Sequence, residues 1–115
     1  MRRGEIRLVD LDPARGNAAG KHRPAVVVSN DRANAAAART GRGVVTVVPV
    51  TGNVSRVFPF QVLVPQSGSG LRADSKAQAE QVRSVSIDRL GGAPGQVPAD
   101  VMDQLDAALR LHLGL

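Results

Sequence analysis

The sequence predicts an α+β domain: a small, strongly curved antiparallel sheet or barrel with a short inserted helix and a C-terminal helix packed on it. Three observations carry this. AVVVS (25–29) and GVVTVVPVT (43–51) are β-branched runs of strand length. Val101, Leu105, Ala108, Leu109 and His112 recur at helical spacing near the C-terminus, with Met102 and Leu113 widening the stripe. A chain of 115 residues is enough for one compact domain, residues 1–115, and not for two.

The elements follow in order. EIRLVDLDP (5–13) alternates Ile6, Leu8 and Leu11 with polar residues and reads as a half-buried strand ended by Pro13. ARGNAAGKH (14–22) is a loop, and AVVVS behind it a central strand. In NDRANAAAART, Asn30 is a cap, Asp31 suits a positive helix N-terminus and the alanines favour helix, which places a short helix over about 31–38. GVVTVVPVT is the longest strand, and Pro49, which has no N–H to donate, puts that end at an edge or a bulge. GNVSRV is a loop, FPFQVLVP (58–65) a strand and QSGSG a turn. ADSKAQAEQVRSV (73–85) suits one or two short strands, SIDRL (86–90) one helical turn, and GGAPGQV a connector or a last short strand. Pro98 suits the first turn of the final helix and Asp100 its positive end.

Composition narrows the function classes. The absence of cysteine excludes disulfides and thiolate chemistry and fits a reducing cytoplasm. The basic start MRRGEIRLVD has no signal-type apolar stretch behind it, and no apolar run approaches the ~20 residues of a membrane span. The expectation is a cytoplasmic protein with no membrane role. A formal charge of +5 favours an anionic partner, nucleic acid or an acidic protein segment. Two Phe, with no Tyr or Trp, count against a domain that stacks bases on aromatic platforms.

A catalytic metal site is not expected: the two histidines lie far apart, and Asp10 and Asp12 sit at alternate positions of a strand, on a solvated face. No phosphate-cradling glycine motif and no G-x-S-x-G elbow is present. What remains is geometric. If 25–29 and 43–51 are antiparallel neighbours with Asn30 opposite Val44, Arg23 stands opposite Thr51. Lys21 and His22 flank Arg23; Ser55 and Arg56 hang over the same end; Glu80, Gln81 and Arg83 are within reach. Guanidinium, hydroxyl and amide groups with little acid suit a phosphodiester. Such a pocket can cut RNA without metal, because the 2′-hydroxyl is the nucleophile and the protein needs only to align it, stabilise the phosphorane and manage two protons. Arg23 neutralises charge and Thr51 binds a phosphate oxygen or the 2′-hydroxyl. His22 has the intrinsic pKa for proton transfer. The plain alternative is a set of solvated strand-end charges, with His112 a packing residue.

The order RRGEIRLVDLDPARG, KHRPAVVVSND, VVPVT, FPFQVLV, AEQVRSVSIDRL resembles the MazF/PemK toxins of bacterial type II toxin–antitoxin systems, in particular the mycobacterial type, over nearly the whole chain. The resemblance implies an SH3-like antiparallel β-barrel (CcdB/MazF-type) with helices attached, assembled as a homodimer. It implies a sequence-specific, metal-independent endoribonuclease that needs no cofactor. The substrate implied is single-stranded RNA, cut to leave 2′,3′-cyclic phosphate and 5′-hydroxyl ends, so that translation and growth stop. It also implies a MazE-like antitoxin whose C-terminal segment blocks the RNA groove. Arg23 matches the family's R-P arginine and Thr51 the residue ending its VP-x-T strand, the two catalytic positions; Lys21, Ser55, Arg56, Gln81 and Arg83 are the candidate RNA-binding residues. One departure stands out. Many members carry G-S-E-Q before R-P, whereas this chain reads GNAAGKHRP, with Ala18 where the carboxylate falls. Two rivals remain: a CcdB-like gyrase poison on the same fold, against which the Trp-free HLGL terminus counts, and a noncatalytic RNA-binding module.

Overall fold

The computed structural model describes residues 1–11 and 22–115. In chain order the elements are β1 (Glu5–Asp10), β2 (His22–Val27), α1 (Asp31–Thr40), β3 (Val44–Thr51), β4 (Gln61–Val64), β5 (Ser75–Gln78), β6 (Arg83–Ser86), β7 (Gly95–Gln96) and α2 (Ala99–Leu113), with 3-10 turns at Ala79–Gln81 and Ile87–Arg89. The strands form one curled antiparallel sheet in the order β4-β5-β3-β2-β1-β7, with β6 paired to β3.

β3 organises the sheet. One edge pairs with β2 through Val47–Pro49. The other edge is shared: Val44–Val47 pair with β6, and Val50 and Thr51 with β5. Pro49 lies between those two ladders, where a missing donor costs nothing. The run of valines is explained by burial on both faces. Ile6, Val26, Val48 and Val50 pack with Val62, Val64 and Ala77 under Val101, Leu105 and Ala108 of α2. Val9, Ala25, Val27, Val45, Val47 and Val85 pack with Ala37 of α1 on the opposite side.

The helices are held by their ends. Asn30 caps α1 by accepting from the Ala33 N–H at 2.8 Å, and Gly41, in the left-handed region at φ 65°, closes it through its N–H to the Ala37 carbonyl. Arg3 ties three elements together: its N–H donates to Asp31 Oδ1 at 2.5 Å, its Nε to the Val28 carbonyl at 2.8 Å, and its Nη2 pairs with Asp106 of α2 at 2.6 Å. Where β7 crosses the turn after β4, the backbones touch so closely that a Cβ on Gly95 would fall 1.8 Å from the Ser69 carbonyl oxygen.

Two sequence expectations need correction. Phe58–Phe60 are not strand: Pro59 breaks the donor pattern, and a turn closes instead, with the Gln61 N–H on the Phe58 carbonyl at 2.8 Å. His112 and Leu113 do not pack on the core; both are exposed, because the last turn of α2 runs past the edge of the sheet that Val101, Leu105 and Ala108 cover. No helix among the described residues is long and apolar enough to cross a membrane.

Candidate functional site

The β2–β3 ladder has the register read from the sequence: Ala25 faces Pro49, Val26 faces Val48 and Val27 faces Val47. Continued two residues further, the same register would set Arg23 opposite Thr51. The ladder itself stops at Ala25 and Pro49, where Pro24, whose nitrogen faces β3, has no N–H to donate. Each end is held from outside instead. Arg23 pairs with Val9 of β1, and Thr51 with Lys76 of β5.

Strand alternation sorts the candidates by face. Arg23 shares a face with Ala25 and Val27, and Thr51 with Val45 and Val47, all of the second core cluster. Arg83, opposite Val47, lies on that face too, and its Nη1 donates to the Leu11 carbonyl at 3.1 Å. Arg23, Thr51 and Arg83 therefore gather at one rim of one face. His22 belongs to the other face, where its Cδ2 lies 3.7 Å from a Cβ built on Gly91. Lys21 lies outside the described residues, as do Asp12 and Ala18.

The loop after Thr51 is braced from within. The Thr51 Oγ1 accepts from the Asn53 N–H at 3.3 Å, and Asn53 Oδ1 accepts from both the Ser55 N–H (3.3 Å) and the Ser55 hydroxyl (2.8 Å). The Ser55 hydroxyl is thus turned into the loop as a shaping group. Arg56 and Gln81 are exposed. Arg56 places its guanidinium carbon 4.6 Å over the Phe58 ring.

Two residues, Lys76 and Gln61, were not singled out from the sequence as part of this region, and Glu80, which was, is held by one of them. Lys76, only 8% exposed, donates to the Arg56 carbonyl at 2.6 Å. Gln61 accepts from the Phe58 N–H at 3.1 Å and donates to Glu80 Oε2 at 2.6 Å, fastening the loop end to the 3-10 turn. Glu80 Oε1 is buried with no hydrogen-bond partner among the described residues. These are long-range contacts, so no local pattern announces them; the one local signal is F-P-F, where a proline inside an apolar run argues against a strand.

Among the described residues no group of three or more His, Asp or Glu side chains could hold a metal ion. The functional groups at the rim are guanidinium, ammonium and hydroxyl. They can bind a phosphodiester and offset the negative charge that builds up on its oxygens during displacement. An apolar recess of about 370 Å³ lies elsewhere, bounded by Val28, Val82, Leu109, Leu113 and Leu115 beside Arg3.

Comparison with known proteins gives the family. Residues 2–113 match the family model of PemK-like, MazF-like toxins of type II toxin–antitoxin systems. The chain is 63% identical over 115 residues to endoribonuclease MazF9 of Mycobacterium tuberculosis, covering 100% of this chain and 98% of that one. It is 56% identical over 91 residues to the probable endoribonuclease MazF1 of the same organism, covering 78% of this chain and 98% of that one. A solved mycobacterial endoribonuclease in complex with its cognate antitoxin superposes with a TM-score of 0.78 at 25% identity, covering 100% of this chain and 96% of that one.

Proposed function

The chain belongs to the PemK-like, MazF-like toxins of type II toxin–antitoxin systems and is an endoribonuclease; from that premise we propose that it cuts single-stranded RNA at specific sequences, without metal, at the rim formed by Arg23 and Thr51. The observation that carries the reading is the β2–β3 register, which puts those two residues on one face at adjoining strand ends. In the proposed reaction the RNA 2′-oxygen attacks the neighbouring phosphorus, the P–O5′ bond breaks, and the products are a 2′,3′-cyclic phosphate and a 5′-hydroxyl. One proton leaves the 2′-oxygen and one reaches the departing 5′-oxygen. Arg23 offsets charge on the non-bridging oxygens with a planar fork that deprotonation cannot remove at neutral pH. Thr51 holds a phosphate oxygen or the 2′-hydroxyl. Arg83, Arg56 and Gln81 line the RNA path, and Lys21, next in sequence to His22, adds a cation to the segment before β2. Metal is dispensable in this scheme because the nucleophile belongs to the substrate and guanidinium supplies the electrostatic stabilisation. His22, on the opposite face from Arg23, is left out of the machinery.

The working unit is proposed to be a homodimer. Leu111, Leu113 and Leu115 stand 59%, 53% and 86% exposed beside the apolar recess, a surface a second copy would cover. A MazE-like antitoxin is the proposed inhibitor, in keeping with the antitoxin complex of the structural neighbour and with the basic charge of this chain.

The test is incubation of purified protein with long RNA in EDTA. Cleavage at a recurring short sequence, leaving cyclic phosphate ends, is expected. Intact RNA in the presence of folded protein overturns the proposal.

A further inference from the structure

Phe58 and Phe60 are the only Phe, Tyr or Trp residues in the chain. A large aromatic ring contributes most to stability when it is buried in a core. Neither belongs to either buried cluster. They sit on the loop that follows Thr51, half-buried, with ring centroids 5.3 Å apart and planes within 3° of parallel. The exposed Arg56 lays its guanidinium over Phe58 at 4.6 Å.

Lys76 fixes this stack in place. Its ammonium donates to the Arg56 carbonyl at 2.6 Å and lies 5.9 Å from the Phe58 ring centroid. The salt bridges among the described residues, Arg3–Asp106 and Arg7–Glu5, do not involve it. Lys76 is also the strand partner of Thr51. An ammonium held by a carbonyl and a ring face, in no salt bridge among the described residues, places a cation beside the stack.

We propose that Arg56, Phe58 and Phe60 form a stacking subsite for a nucleobase of single-stranded RNA next to the scissile phosphate, with Lys76 the positioning residue that sets it beside Thr51. The subsite rests on the reading that this chain cuts RNA. A guanidinium stacked on a ring leaves its other face open, and unpaired bases stack on guanidinium planes as they do on aromatic rings. The adjacent cations favour the phosphate that follows the base. Stacking reads a flat surface rather than a hydrogen-bond pattern, so this position of the substrate is expected to tolerate several bases while still demanding one.

The wild-type cut site is first found by sequencing the ends of cleaved long RNA. A 2′-O-methyl copy of that site, which keeps the bases and lacks the nucleophile, is then made with 2-aminopurine at each flanking position in turn. Wild-type protein should quench the fluorescence at one position. Arg56→Ala and Phe58→Leu should abolish that quenching and raise KM for cleavage by about tenfold, with a smaller change in kcat. Arg56→Lys keeps the charge and loses the plane, so it should not restore quenching; restoration would show attraction rather than stacking and overturn the subsite. Lys76→Met should shift KM in the same direction as Arg56→Ala. Unaltered quenching and KM in Arg56→Ala and Phe58→Leu variants that melt like wild type overturn the subsite alone. Absence of cleavage by wild-type protein overturns the parent reading, and the subsite falls with it.

Discussion

Thr51 and Lys76 are direct strand partners, and the Lys76 ammonium donates to the carbonyl of Arg56 in the loop that follows Thr51. The end of β3 and the loop that follows it are thereby one mechanical unit. Replacing Thr51 with Ala removes the hydroxyl while leaving that backbone pairing in place. Thr51→Ala and Arg23→Ala are each expected to slow RNA cleavage by ~10²-fold or more, the scale of losing one donor to a developing oxyanion. Single-turnover cleavage with matched melting curves checks this.

His22 offers a sharper discrimination. Its side chain lies on the face opposite Arg23, so His22→Gln should retain most of the cleavage rate and leave the shape of the pH–rate profile unchanged. A general acid or base normally contributes ~10²-fold or more. A loss of that size, with one limb of the profile removed, would return His22 to the reaction.

The exposed leucines of the last turn of α2 predict assembly. Leu111→Glu with Leu113→Glu should shift the protein from dimer to monomer in sedimentation velocity, with the far-ultraviolet spectrum retained. A wild-type monomer at micromolar concentration would remove the role assigned to these leucines.

Acid sensitivity is expected from Asp31. The Arg3 backbone N–H holds its carboxyl below the usual value of 3.8. A carboxylate with a lowered folded pKa stabilises the protein above its unfolded pKa, and the contribution is lost as pH falls through the folded value. Asp31→Asn should therefore lower the midpoint of urea unfolding at pH 7, and the difference from wild type should shrink below about pH 4.

Much of the fold was legible in the sequence because period-2 and period-3.6 patterns are local. The β2–β3 register followed from strand length and the short helix between them, and with it the approach of Arg23 to Thr51. The last turn of α2 was not legible: helical spacing continues through His112 and Leu113, but only the sheet's extent decides where burial ends. The aromatic stack was hidden for a different reason. Phe58 and Phe60, two apart in an apolar run, look like one face of a strand until Pro59 is weighed as a lost donor. Counting aromatic residues argued against base stacking, whereas their placement together outside the core argues for it. Lys76 and Gln61 act through partners 20 and 19 residues away, beyond any pattern a local window contains.

The β2–β3 ladder stops before Pro24, two residues short of the pair that matters. Arg23 and Thr51 are consequently neighbours without being bonded neighbours. Each is carried by a different flanking strand, β1 for one and β5 for the other. Their separation is governed by how tightly the sheet curls, and it can change without breaking a backbone hydrogen bond between them. Pro24 leaves a seam between β2 and the end of β3, and the groups assigned to phosphate stand on either lip of it.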